Sequence, residues 1–372
     1  MVQLLLKEER LRRGASRVLV SLLCIPALVF PALLFPALAF AKTKSATPSE
    51  MWELSLEGGR KLVWERSFSS EVEVRKVGFW GKVVDIVAGA PEMHSMVRPY
   101  SVVTDSRGRV IVTDPGAAGV HIFDFAAHKY KFIEHAKSER DAMLSPQCVA
   151  VDAQDNIYVT DSNAGVIFVF DPNGKYLRTI GSLRGGEGYF ERPTGIAVDS
   201  AAQRIYLSDT LRNKILILDM QGKVLELIGK KGAENGDFYF PTELRLSGPD
   251  LIVVDAMNFR LQILDRAGNF ESAIGSLGDG PGTLPRPKAV GVDSEGDLYV
   301  VDSSLGIVQV FNRKGQLLYY FGENGTHAGE FQLPSGLYID HGDHVYVVDS
   351  FNRRVQVFQY FGINKSAVEG AK

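Results

Sequence analysis

Along most of the chain the apolar positions come in short bursts, each closed by a polar turn. The stretch after Pro193 shows the unit. Gly195-Ile196-Ala197-Val198-Asp199 is followed by Ile205-Tyr206-Leu207-Ser208-Asp209, then by Lys214-Ile215-Leu216-Ile217-Leu218-Asp219. Gln221-Gly222 then turns the chain into Val224-Leu225-Glu226-Leu227-Ile228. These bursts are rich in β-branched and aliphatic residues, and Gly, Asp and Asn stand between them, so the pattern predicts four strands joined by tight turns.

The unit recurs. Prolines stand at Pro99, Pro146, Pro193, Pro241, Pro287 and Pro334, with spacings of 47, 47, 48, 46 and 47. Asp114, Asp161, Asp209, Asp255, Asp302 and Asp349 keep step with them, and nine residues after each aspartate comes Phe123, Phe170, Leu218, Leu264, Phe311 or Phe358. Six copies of a four-stranded unit that cannot bury both its faces alone predict an all-β, six-bladed β-propeller of four-stranded blades.

Ring closure needs a strand from elsewhere, because the sixth copy runs out after Val355-Gln356-Val357-Phe358. Residues 61–68, Lys-Leu-Val-Trp-Glu-Arg-Ser-Phe, resemble the fourth strand Lys175-Tyr176-Leu177-Arg178-Thr179-Ile180 and are expected to complete blade six. Residues 83–87 are the alternative closing strand. Phe79, Trp80, Val83, Val84 and Val87 also have the spacing of a short amphipathic helix.

Ahead of the repeats lies an uncharged run of 24 residues, 18–41, preceded by Lys7, Arg10, Arg12, Arg13 and Arg17 and ending in Ala39-Phe40-Ala41. A basic segment, an apolar run and a small-x-small end are the pattern of an export signal. The run is also long enough to serve as a retained membrane anchor. The expected organisation is 1–41 signal peptide or anchor, 42–59 linker, 60–361 propeller and 362–372 polar tail. The protein is thus expected to be exported to the periplasm or outside the cell, with the membrane involved only through 18–41.

Charge and cysteine content sharpen this. The net charge is −3, and the segment before Lys42 carries +3, which leaves −6 for the remainder. An acidic exported chain is a poor fit to nucleic acid, which needs a basic surface. With Cys24 in the apolar run, Cys148 stands alone and is read as a small buried apolar residue, so packing and not a disulfide must hold the fold.

The repeat reads Arg-Pro-x-x-apolar-x-x-Asp, then Leu-Tyr-Val-x-Asp-Ser, then Asn-x-Arg-apolar-Gln-apolar-Phe. It is carried by Arg286-Pro287 to Asp293, Leu298 to Ser303, Val308-Gln309-Val310-Phe311 and Asn352 to Phe358. In this it resembles the NHL-repeat family of six-bladed propellers, of the exported bacterial type, over about residues 60–361. That resemblance implies the fold. It leaves the role open among interaction platforms, ligand binders and metal-dependent enzymes. Similar metal-dependent lactonases and lyases hold an ion at the central channel on Glu, Asn, Asp or His side chains.

Candidate chemistry is sought on the face formed by the connections between blades and the turns between second and third strands. The glycine-rich connections there, such as Gly232 to Gly236 and Gly278 to Gly282, read as rim turns, since no helix start follows them to make a phosphate loop. The six aspartates read either as a carboxylate ring for a cation or as caps of their own turns, and their presence in every copy favours caps.

Positions where copies differ say more. Lys214, Arg260 and Arg354 stand five residues after the aspartate where other copies have Gly119, Val166 and Ile307. Small residues follow the proline in most copies (Ser101, Cys148, Gly195, Ala289, Gly336), whereas copy four has Glu243 and Arg245 and copy five has Lys288. Arg212, Lys214, Glu243, Arg245, Arg260, Arg286, Lys288 and Arg354 are therefore the expected binding residues. The expected ligand is an anionic group on another exported protein or a cell-surface component, bound by a monomer without a cofactor. The competing arrangement pairs Glu243 with Arg245 or Lys288 and leaves the other cations solvated or paired with turn aspartates. A metal-dependent hydrolase or lyase with Glu243 as a channel ligand is the alternative function. The seven histidines form no HExxH, and no Ser/His/Asp or Cys/His set is visible.

Overall fold

The computed structural model describes residues 52–75, 93–136, 142–181 and 190–362. The export segment, the helix expected at 79–87, the alternative closing strand and the tail from 363 lie outside the described residues. Within them, six antiparallel sheets follow one another, each starting just after one of the repeated prolines or at it. The chain is a six-bladed β-propeller.

Blade three shows how the sequence makes a blade. Its innermost strand Pro193–Asp199 pairs with Arg204–Asp209, which pairs with Lys214–Asp219, which pairs with Val224–Ile228 at the rim. The second and third strands of the blades are buried along nearly their whole length, because each is covered by a neighbouring blade on either side. That is why they read as unbroken aliphatic runs. The rim strands Phe270–Ile274 and Leu317–Phe321 alternate half-buried and exposed positions, as a one-sided strand must.

Blade six closes the ring. Its strands Gly336–Ile339, His344–Asp349 and Arg354–Phe361 are completed by Lys61–Phe68, with Lys61 opposite Phe361 and Phe68 opposite Val355. The bulge in this pairing, between Trp64 and Arg66, recurs between third and fourth strands in blades two to five. The N-terminal strand thus copies a native fourth strand. Trp64 Nε1 donates to Gln356 Oε1 at 3.0 Å, and Gln356 is fully buried. One boundary differs from expectation. Part of the linker, Glu53–Ser55, pairs with Lys61–Phe68 as a fifth strand, and Trp52 beside it packs edge-on against Phe358 at 5.3 Å.

Two packing rules explain the remaining repeat positions. Three residues before each proline stands Met96, Met143, Phe190, Phe238, Leu284 or Phe331, and all six are at most 2% exposed. Each wedges a connection between two blades, and burying such a side chain contributes roughly 1.5–3 kcal/mol. Around the axis the innermost strands approach so closely that a Cβ on Gly336 would lie 2.5 Å from Tyr100 O, and one on Gly195 would meet Thr242 O. Small residues follow the proline because the channel is narrow there.

Candidate functional site

The upper face of the propeller carries the blade connections and the turns between second and third strands, and its six aspartates are fully buried. Asp114 accepts N–H bonds from Val97, Arg98 and Ala117 at 2.6–3.0 Å. Asp161 does the same for Leu144, Ser145, Asn163 and Ala164. Burial alone would raise the Asp114 carboxyl, but His121 and the Val97 and Arg98 N–H groups hold it below the usual carboxylate range. The aspartates therefore cap turns and anchor the incoming connection. They do not form an open carboxylate ring.

Four residues after each aspartate the backbone takes a left-handed turn, at Ala118, Gly165, Asn213, Phe259, Gly306 and Arg353. The side chain just past this turn differs between blades, and two arginines there are firmly engaged. In blade four Arg260 Nε donates to Asp255 Oδ2 at 2.9 Å, and its Nη2 donates to the carbonyls of Glu234 and Asp237. In blade six Arg354 repeats this with Asp349 at 2.8 Å and with His327 and Glu330 carbonyls. These two arginines tie their own blade to the preceding connection, contrary to the expectation that they belong to an open ligand cluster. Arg212 lies 3.5 Å from Asp209 and stays partly exposed, and Lys214 opens its strand opposite Asp209.

Arg98, Arg192 and Arg286 behave differently. Each precedes the repeated proline, in blades one, three and five, and each gives its backbone N–H to the turn aspartate at 2.8–2.9 Å. Their side chains are exposed and, among the described residues, make no ion pair. Lys288, one residue past Pro287, is half-buried beside them. Desolvation, then the positive fields of Arg286, Arg192 and Arg98, push its amine below the ordinary lysine range, with Asp302 opposing. The mouth of the channel is thus a cationic collar drawn from alternate blades. Of its members the sequence pattern singled out Arg286 and Lys288. Arg98 and Arg192 were missed, although the Arg-Pro dipeptide they share with Arg286 was visible.

Deeper in, Glu243 and Arg245 point into the channel from blade four. Arg245 Nη2 lies 3.2 Å from Glu243 Oε1, its Nε donates to Val290 O in blade five at 3.1 Å, and Nη2 donates to Leu337 O in blade six at 2.9 Å. Cys148 Sγ of blade two lies 3.3 Å from Glu243 Oε2. The pair thereby ties blade four to three others and divides the channel into an upper and a lower half. Burial raises the Glu243 carboxyl against the pull of Arg245, and burial next to Glu243 holds the Cys148 thiol well above its usual range, so it is a protonated packing group and no nucleophile.

Glu243 is therefore engaged and not free as a metal ligand. Among the described residues no group of three or more His, Cys, Asp or Glu side chains is placed to hold an ion.

Large apolar side chains are also exposed on the upper face: Val97, Leu144, Leu211, Met257, Leu277, Leu333 and Phe351. Apart from Val72, in the short turn after the closing strand, the others lie on the rim strands. Among the described residues none sits in a turn of the lower face. Arg98 stands 5.7 Å over the Phe351 ring, joining the collar to this apolar surround.

Comparison with known proteins agrees with this architecture. The model of a family described as a 6-bladed beta-propeller matches residues 141–232. No curated protein matches the chain. Among solved structures, a streptogramin B lyase is similar at 14% identity and a TM-score of 0.52, over 71% of this chain and 93% of that one. A gluconolactonase from Xanthomonas campestris is similar at 16% identity and a TM-score of 0.55, over 82% and 92%. An auxiliary nutrient binding protein from Bacteroides thetaiotaomicron is similar at 10% identity and a TM-score of 0.55, over 71% and 69%. At these identities the likeness is one of fold.

Proposed function

We propose that this chain is an exported propeller of the NHL type that acts as a binding scaffold through its upper face. Arg98, Arg192, Arg286 and Lys288 take an anionic group of another exported protein or of a cell-surface component, and Arg212 and Lys214 border the site. The observation that carries this reading is the collar itself. Three guanidinium groups are held at one equivalent backbone position on alternate blades, unpaired among the described residues, around a lysine whose protonated form they disfavour. Bringing like charges together is unfavourable for the protein alone and favourable once an anion enters. Arginine suits the task because its planar fork can hold a carboxylate or phosphate by two bonds. Exposed apolar side chains mixed with arginine are the composition of a protein-binding surface.

The test is calorimetric titration of the full chain with inorganic tripolyphosphate and with a hexaglutamate peptide. The double substitution Arg192→Ala with Arg286→Ala is expected to weaken both at least tenfold, and Lys314→Ala, on the lower face, to leave them unchanged. Equal affinities for the wild-type chain and the double variant would overturn the proposal.

A further inference from the structure

The lower half of the channel is a site of its own, separate from the collar and on the opposite side of the Glu243–Arg245 bridge. We propose that it binds a small zwitterion of the amino-acid or short-peptide class, carboxylate inward. The cavity measures about 430 Å³ and takes a wall from every blade: Val103, Ala150, Ile196, Arg245, Val292 and Ile339. That volume falls within the roughly 300–1,000 Å³ of ordinary small-ligand pockets.

The charges in it are ordered along the axis. Because the innermost strand of blade four runs from Pro241 at the upper face to Ser247 at the lower, Arg245 lies on the cavity side of the bridge and Glu243 behind it. Arg245 Nε and Nη2 are engaged with Val290, Leu337 and Glu243, while Nη1 has no protein partner among the described residues. The guanidinium is held over the Tyr338 ring, 5.1 Å from its centre, so its free edge is fixed. The outer end of the cavity is lined by Asp293, Asp340, Asp343 and His341. Asp293 caps its own turn, Asp343 accepts from Ser294, and Asp340 caps its turn beside His344, so three acidic groups stand there against two histidines. Between the two ends the walls are aliphatic.

A positive inner end, an apolar waist and a negative mouth select the ligand. A plain anion would pass three carboxylates to reach Arg245, and a plain cation would meet the guanidinium at the inner end. An uncharged apolar molecule would leave Nη1 desolvated without an acceptor, which is unfavourable. A molecule with a carboxylate at one end, an ammonium at the other and an apolar side chain satisfies all three regions. It is the bond from Nη1 to the carboxylate that fixes orientation, since it is charge-assisted.

The experiment is calorimetric titration of the full chain with the dipeptide Ala-Leu, with N-acetyl-Ala-Leu, which lacks the ammonium, and with Ala-Leu amide, which lacks the carboxylate. Ala-Leu is expected to bind and each blocked form to bind at least tenfold more weakly. Two variants locate the site. Ala150→Phe fills the cavity, and Glu243→Leu combined with Arg245→Met removes both bridge charges without leaving one alone; both are expected to abolish binding. No heat with Ala-Leu at millimolar concentration, equal binding of the blocked forms, or undiminished binding to Ala150→Phe would each overturn the proposal. None of these results bears on tripolyphosphate binding at the upper collar.

Discussion

Arg260 and Arg354 give their Nε–H groups to Asp255 and Asp349, whereas Arg98, Arg192 and Arg286 give those aspartates' counterparts only a backbone N–H. The same residue type on the same face is thus structural in blades four and six and open to a ligand in blades one, three and five. Removing Arg260 leaves Asp255 buried without its cation, and breaking such a pair costs about 3 kcal/mol. Urea unfolding is therefore expected to show Arg260→Ala destabilised by about that amount, while Arg286→Ala stays within about 0.5 kcal/mol of wild type, as for an exposed side chain away from packing. A small effect at Arg260 would mean that it is not the tie described. The sequence could not separate the two kinds. It showed which copies carry a cation, but whether a guanidinium is engaged depends on carbonyls 23–26 residues away in the connection, as with Glu234 and Asp237. Glu243 and Arg245 were legible as departures from small residues, and their pairing was one of the two arrangements expected.

At the scale of elements, the strands and their order were readable because hydrophobic bursts, turn residues and a fixed period all agreed. Closure by residues 61–68 was readable because the sixth copy runs out one strand short and a fourth-strand-like sequence lies upstream. The fifth strand Glu53–Ser55 was not, since three residues carry no periodicity. The wedge positions were also overlooked. Met96, Met143, Phe190, Phe238, Leu284 and Phe331 vary in type and show their equivalence only by their common burial. Their demand on the preceding strand end is testable at Gly229, where φ is 77° and a Cβ would press into the Phe238 ring. Gly229→Ala combines a left-handed strain of roughly 1–2 kcal/mol with overpacking of about 1–3 kcal/mol. A thermal melt is expected to show a clear loss of stability, and an unchanged melting temperature would mean that the wedge is not tightly seated.

For the whole molecule, the acidic balance of the chain hides how its charge is arranged. A cationic collar marks one end of the channel, carboxylates line the other, and the Glu243–Arg245 bridge stands between them. Composition gives the sum of these charges and not their placement, so it weighs against nucleic acid and says nothing of a basic mouth. The placement comes from the ring: residues 94 apart in sequence, two blades on, face one axis, and only then do Arg98, Arg192, Arg286 and Lys288 act together. The most direct test of this account is the titration of Lys288 itself, followed by NMR on chain with isotopically labelled, dimethylated lysines and Lys288→Arg for assignment. Lys288 is expected to lose its proton below the ordinary lysine range, because burial and three guanidinium groups oppose its charge, and saturating tripolyphosphate is expected to return it to that range. A Lys288 that titrates in the ordinary lysine range, and does not respond to tripolyphosphate, would contradict the collar as an anion site.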